Sequence, residues 1–174
     1  MIELLDPGSA NLAALLDSGT HRAQGIAMSR RDHDPFVPGA TLEDLKIKIA
    51  LGGLVAEEIA FGKWTMRSCS DLDRATEVAY EQLVYGIEGL QHLNVIGERH
   101  RRSAPSSENV ARRETAAVDR INREMCEVRS MLLQNWELHN RIAQRLFEKG
   151  IVYGEEIDVL KGKHTLIVTS AEVA

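Results

Sequence analysis

The sequence predicts a mainly α-helical domain with a small β element near its N-terminus. Apolar residues recur every three or four positions near 42–61, 71–86 and 114–149, the spacing of helices that bury one face. By contrast, only Thr20–Met28 and the tail run Leu166–Thr169 favour a strand. A chain of 174 residues is long enough to form one domain with a buried core. We therefore expect a helical domain with little sheet.

The N-terminal region precedes the long helices and is predicted to contain one short helix and one strand. Residues Ala10–Asp17 are rich in Ala and Leu, follow the possible N-cap Ser9 and end before Gly19, so their composition favours a helix. Thr20–Met28 is the candidate strand. The following residues, 29–40, are polar and contain two prolines, which predicts a loop.

The first long helix, near 42–61, has two adjacent glycines in its interior. Each glycine costs about 0.5–1 kcal/mol relative to alanine in a helix. We therefore expect Gly52 and Gly53 to allow close packing, most simply against another backbone, and Gly53→Leu to destabilise the fold. The predicted buried face carries both glycines and their apolar neighbours: Leu42, Leu45, Ile49, Gly52, Gly53, Ala56, Ile59 and Ala60.

The second and third long helices are predicted from the same periodicity. The second begins near Ser70 or Asp71 and ends near Gly86. The third is predicted to break near Asn135, which is expected to cap its second half, so that both halves form an antiparallel pair. A brief further piece covers Glu155–Leu160. The apolar seam of the third helix before the break consists of Val118, Ile121, Met125, Val128 and Leu132.

Charge and composition exclude several classes of function. The net charge is −5, and the arginine-rich loop predicted within 97–113 lacks interleaved aromatic residues, so we expect no nucleic-acid partner. The longest apolar run, Ile49–Ala56, is too short to cross a bilayer, so we expect no transmembrane segment in this chain. The two cysteines form no disulfide framework, which predicts a cytoplasmic location.

Two linked motifs carry a family resemblance. LGGLVAEEIAFG occupies 51–62, and SDLDRAT occupies 70–76. Together they resemble the peptidase domain of the FtsH-type AAA+ zinc metalloproteases. The resemblance spans a domain of residues 1–160, followed by a C-terminal tail of residues 161–174. Three further stretches match that family: RAQGIAM at 22–28, YGIEGL at 85–90 and LFEKGIVYGEEIDVL at 146–160. The resemblance also implies a strand near Ala13–Leu16, as an alternative to the helix that composition favours there.

The resemblance implies roles for three acidic residues. Asp71 matches the aspartate that serves the family as a zinc ligand, and a carboxylate is a suitable ligand for zinc. An alternative interpretation is that Asp71 only caps its helix, since Asp is common at that position. Glu57 and Glu58 are candidates for hydrogen-bond partners that orient a zinc-binding histidine.

The sequence also departs from the family pattern. The family's H-E-x-x-H motif, which supplies two histidine ligands and the general base, is absent from the 174 residues. Residues Leu4–Arg22 match what normally follows that helix. We therefore expect this chain to have no catalytic residue and no cofactor by itself, and to use zinc only if the missing helix is supplied. A makeshift metal site of His21 or His33 with Asp71 or Cys69 is a further possibility.

Two functional hypotheses follow from these observations. The first is a zinc peptidase domain of a membrane-anchored ATP-dependent protease that degrades unfolded proteins. The second is a protease-derived helical module, without catalysis, that serves in assembly or regulation. By resemblance, the partners are a protein substrate or a parent ATPase module. We also expect a homo-oligomer, because the face of Gly52, Gly53 and Ala56 lacks its usual covering helix, although Met1–Asp17 could fold back over it.

Overall fold

The computed structural model describes residues 1–5, 8–15, 25–29, 42–85 and 107–162. Within these ranges the chain is mainly helical and carries one small sheet, which confirms the predicted fold class. The elements in chain order are α1 (Ile2–Leu5), β1 (Ala10–Leu15), β2 (Gly25–Ser29), α2 (Leu42–Phe61), a 3-10 turn (Met66–Ser68), α3 (Cys69–Tyr85), α4 (Ser107–Gln134), α5 (Trp136–Lys149), β3 (Ile151–Tyr153) and α6 (Gly154–Lys161).

The hydrophobic core lies where α2, α3 and α4 pack against one another. Its side chains are aliphatic and almost fully excluded from solvent, so their burial is the main stabilising contribution to this part of the fold. The short helix α1 adds Leu4 to the same core. The core residues from the three long helices are Ile47, Leu51, Leu54, Val55, Ala75, Ala79, Ile121, Val128, Met131 and Leu132.

The buried face of α2 differs from the predicted one. Leu51, Leu54 and Val55 are fully buried, whereas Ile49 and Gly53, which were expected on the buried face, are exposed. Helix α2 is apolar around most of its circumference, and α3 and α4 both pack against it. A helix covered by two partners has no narrow apolar stripe, so periodicity alone does not identify its buried face.

Helix α4 begins earlier than predicted. Its first residue is Ser107, so the last part of the expected basic loop, residues 107–113, is helical. Within this turn Arg112 donates to Glu108 at 2.8 Å, a pair spaced four residues apart that supports a helix. Arg113 is buried. The predicted loop is wrong over residues 107–113: clustered arginines are typical of a solvated loop, but Arg112 and Arg113 both belong to the helix.

Asn135 separates α4 from α5, as predicted, but it does not cap α5 with its side chain. Its Nδ2 atom instead donates to the Met131 carbonyl oxygen of α4 at 2.8 Å. The prediction that α4 and α5 form an antiparallel pair is also wrong. Only one residue links the two helices, whereas the turn of a helical hairpin usually has about two to five residues. Helix α5 packs mainly against β1, β3 and α6.

The sheet has the antiparallel order β2–β1–β3. Ala13 lies opposite Ala27 on one side and Val152 on the other. The prediction of a helix at Ala10–Asp17 is therefore wrong over Ala10–Leu15, because pairing on both edges outweighs the helix propensity of Ala and Leu. The strand β3 was not predicted. It follows Gly150, whose φ of 76° ends α5 and turns the chain back toward β1.

Several sequence predictions fall outside the described residues. These include His21, His33, the loop 30–41, most of the basic loop 97–106 and the tail strand Leu166–Thr169. Among the helices that the structure describes, none combines the length and the apolar character needed to cross a membrane.

Candidate functional site

The site is centred on Asp71, the third residue of α3. The chain leaves α2 at Phe61, passes through the 3-10 turn and enters α3 at Cys69, so that Asp71 faces the surface of α2. A Cβ atom built on Gly53 would lie 3.7 Å from Asp71 Oδ2. The absence of a side chain at Gly53 thus leaves open space beside this exposed carboxylate.

Glu57 holds the loop that leads to Asp71. Its Oε2 atom accepts hydrogen bonds from the Thr65 backbone N–H at 2.9 Å, from Thr65 Oγ1 at 3.3 Å and from Ser68 Oγ at 2.7 Å. These bonds tie α2 to the segment just before α3. Hydrogen bonds to an ionised carboxylate are stronger than neutral ones, so Glu57 constrains the position from which Asp71 projects.

The surroundings of Asp71 shift the pKa of its carboxyl group above the ordinary value. Packing around the carboxyl group raises the pKa of Asp71, although the residue as a whole is exposed. The nearby positive charge of Arg74 opposes this shift, and the negative charge of Glu57 adds to it. A cation placed beside Asp71 would therefore relieve an unfavourable interaction between two carboxylates.

Glu58 points to a different neighbour. Its Oε2 atom accepts a hydrogen bond from Arg129 Nη2 at 2.5 Å, which links α2 to α4. In the described part of the chain, Glu57 contacts the loop and Glu58 contacts α4. Their predicted role as partners of a zinc-binding histidine stays a prediction, with Glu57 the one that lies near Asp71.

The two glycines of α2 have different surroundings. Gly52 is buried under Met1: a Cβ atom built on it would lie 2.8 Å from Met1 Cβ. The close contact is therefore made by a side chain of the N-terminal segment rather than by another backbone. Gly53 is exposed, and a Cβ there would have only an ordinary contact with Asp71. We therefore expect the steric cost of a larger side chain at Gly52 rather than at Gly53.

Gly52→Leu is expected to destabilise the domain by about 1–3 kcal/mol, because its side chain would displace Met1 and with it the buried Leu4. Gly53→Leu is the matched control in the same helix. It should cost less, because a Cβ there makes only an ordinary van der Waals contact with Asp71 and leucine has the higher helix propensity. Chemical denaturation of the two variants measures the difference. Equal losses would contradict the contact assigned to Gly52.

The described residues do not fit a zinc ion by themselves. Within those residues, no three His, Cys, Asp or Glu side chains lie close enough together to hold a metal ion. Asp71 supplies one suitable donor, and Glu57, its acidic neighbour, is occupied by the loop. A zinc site in proteins requires three or four ligands.

Asp71 and Glu57 were predicted from the sequence, but the loop residues that bond to Glu57 just before α3 were not. Thr65 and Ser68 lie four to seven residues after the end of α2, immediately before the SDLD segment. The sequence feature that could have identified them is the presence of hydroxyl residues in the connection between two helices, because a hydroxyl group can donate to a carboxylate on the preceding helix.

Comparison with known proteins shows the family to which the chain belongs. The profile of Peptidase family M41 matches residues 19–160. The chain is 30% identical to the ATP-dependent zinc metalloprotease FtsH of Parabacteroides distasonis over 129 residues, covering 71% of this chain and 19% of that protein. It is 33% identical to the protein of the same name from Rhodothermus marinus over 115 residues, covering 62% of this chain and 16% of that one.

A third relative covers more of the chain. The ATP-dependent zinc metalloprotease FtsH 2 of Symbiobacterium thermophilum is 24% identical over 163 residues, covering 90% of this chain and 27% of that protein. The chain thus spans about a sixth to a quarter of the length of these relatives. Since the family profile covers most of the chain, including α2, the loop and the start of α3, this protein belongs to Peptidase family M41 and carries an FtsH-type peptidase domain.

Proposed function

We propose that this domain forms the Asp71-bearing part of a zinc peptidase that cleaves unfolded protein. The observation that carries the proposal is the exposed carboxylate of Asp71, held at the start of α3 by the Glu57 loop contacts and given space by Gly53. Zinc, when bound, would polarise the substrate carbonyl and activate water. In this chain, Asp71 would bind the metal and Glu57 would orient the loop that carries Asp71.

The substrate class is supported by the outer strand of the sheet. All five residues of β2 are exposed, and in the described part of the chain β2 pairs with no strand other than β1. An exposed edge strand can bind an extended peptide through backbone hydrogen bonds. An extended and therefore unfolded segment of a protein is the substrate that such a strand would accept.

Residues 1–174 alone are expected to bind no stoichiometric zinc and to cleave no peptide bond. One carboxylate without the histidine pair of H-E-x-x-H does not make a zinc site. Elemental analysis of the purified chain and incubation with fluorescent casein test this expectation, with Asp71→Ala as the background control. Stoichiometric zinc, or casein cleavage that Asp71→Ala abolishes, would contradict it.

A second candidate function is a helical assembly or regulatory module without catalysis. The observation that favours it is that Glu57 and Glu58 both make contacts within the fold, with the loop and with α4 respectively. On this hypothesis the acidic pair of the AEE motif serves stability alone. The two candidates differ in whether supplying an H-E-x-x-H helix produces zinc-dependent cleavage.

We also propose that the chain self-associates and works in the cytoplasm. Met1 and Leu4 cover part of the α2 face, yet large apolar side chains are exposed at the end of α2, at Phe61, and in the 3-10 turn after it, at Met66. Cys69 and Cys126 are free thiols, which is typical of a reducing compartment. Sedimentation at micromolar concentration is expected to give species larger than the 19.4 kDa monomer. A clean monomer would contradict self-association and leave the N-terminal segment as the sole cover.

A further inference from the structure

A groove runs along the surface between α3 and α4. Its first part has a volume of about 320 Å3 and an apolar lining. The buried side chains of Leu54 and Ile121 line it, together with the exposed Trp64 from the loop after α2. Trp64 and Val118 are exposed by 43% and 55% of their surface, so this groove presents large apolar side chains to solvent.

The groove continues into an acidic part. Thr76 and Val118 line both parts, and the second part extends along the same two helices with a volume of about 630 Å3. Its rim carries three exposed glutamates, Glu77, Glu81 and Glu114. Among the described residues, none of these three carboxylates makes an ion pair.

The position of Val118 is unexpected for a residue that serves only the fold. It belongs to the apolar seam of α4, in which Ile121, Val128 and Leu132 are buried and Met125 is half-buried. Val118 instead lies open at the junction of the apolar and acidic parts. An exposed apolar surface that borders exposed glutamates is typical of a surface that binds an amphipathic partner.

We propose that this groove binds a basic amphipathic helix of a partner protein. Its apolar residues would occupy the part lined by Leu54, Trp64 and Ile121, and its Lys or Arg residues would lie against Glu77, Glu81 and Glu114. Charge complementarity selects this partner over an acidic or neutral one, since an acidic helix would be repelled by the rim. A cleft between two helix surfaces suits a helix better than an extended strand.

The test uses three short fluorescein-labelled peptides in anisotropy titrations with the full chain. One is an amphipathic Leu/Lys helix, one has Glu in place of Lys, and one has Ser in place of Leu. Binding of the Leu/Lys peptide alone is the expected result, weakening as salt increases toward about 0.15 M. Equal binding of the Leu/Glu peptide, or no binding of any peptide, would overturn the proposal.

Paired variants locate the binding site. Glu81→Lys is expected to weaken binding about tenfold, whereas Glu137→Lys on α5 should leave it unchanged. Val118→Ser should weaken binding, whereas Leu133→Ser, which changes a residue of similar exposure, 54%, on the same helix, should not. Circular dichroism checks that each variant is folded.

Two outcomes would contradict the assignment. One is an equal loss of binding in the variant and in its control, which would show that the peptide does not occupy this groove. The other is a Val118→Ser chain that sediments as a smaller species than the unmodified chain while binding the peptide unchanged. In that case the occupant is a second copy of this chain.

Discussion

Arg120→Met is expected to destabilise the domain by about 3 kcal/mol, because it leaves two largely buried carboxylates without their main cationic partner. Arg120 Nη2 lies 2.6 Å from Asp44 Oδ1 of α2, and its Nε lies 2.8 Å from Glu124 Oε1 on α4. Only 12% of the Arg120 side chain and 7% of the Glu124 side chain are accessible to solvent. Removing a cation from such a buried group costs far more than removing one at the surface.

The same network contains a second cation. Lys48 Nζ lies 3.5 Å from Glu124 Oε2 and 2.6 Å from Glu127 Oε2. Burial acts to lower the pKa of Lys48, but its bond with Glu127 and the charge of Glu124 outweigh burial, and the pKa is raised. Lys48 therefore stays charged at neutral pH. Because it contacts Glu124 only at the longer distance, it does not replace Arg120.

Chemical denaturation measures the effect of Arg120→Met. Arg123→Met is the matched control, since Arg123 is on the same helix and is exposed. It should change the free energy of unfolding by less than about 0.5 kcal/mol. If both variants have the same stability as the unmodified chain, the ion pairs between α2 and α4 do not stabilise the domain.

The second large effect concerns Asp71 in a chain that also contains H-E-x-x-H. A suitable chain is the Parabacteroides distasonis protease with its aligned region replaced by the matching residues of this protein. Asp71→Ala is expected to lower casein cleavage by at least about 100-fold, because loss of a metal ligand exceeds the 10–100-fold loss typical of removing a residue that only orients a ligand.

Asp73→Ala provides the control for that prediction. Asp73 lies two residues further along α3 and is exposed like Asp71, so its substitution makes the same chemical change at the same helix start. Cleavage by the Asp73→Ala chain should stay near the unmodified level. Loss of cleavage in both variants would point to unfolding of the α3 start rather than to metal binding.

Helix bounds were predicted well where local signals are strong. The range 42–61 matches α2, and the start of α3 lies within two residues of the predicted one. The buried face of α2 and the strand β1 could not be predicted from periodicity and propensity, because both depend on what packs beside them. Only the family resemblance implied a strand near Ala13–Leu16. Ala10–Leu15 has helix propensity, but its partners β2 and β3 are distant in sequence.

In the candidate site, too, local features were predicted and contacts between distant residues were not. The resemblance pointed to Asp71 and to the Glu57–Glu58 pair, and the periodicity placed Asp71 at a helix start. Periodicity could not predict which neighbours the two glutamates contact. Glu57 bonds to Thr65 and Ser68, whereas Glu58 bonds to Arg129. Adjacent residues on a helix point about 100° apart, so their contacts depend on the packing of α3 and α4 around α2.

The central claim is that Asp71 binds the metal of a zinc peptidase, and the zinc content of the chimeric protease tests it most directly. Elemental analysis of the purified chimera is expected to give stoichiometric zinc, which Asp73→Ala retains and Asp71→Ala loses in large part. If the Asp71→Ala chimera keeps both its full zinc content and its cleavage of casein, Asp71 is a helix cap and the proposed role in metal binding is wrong.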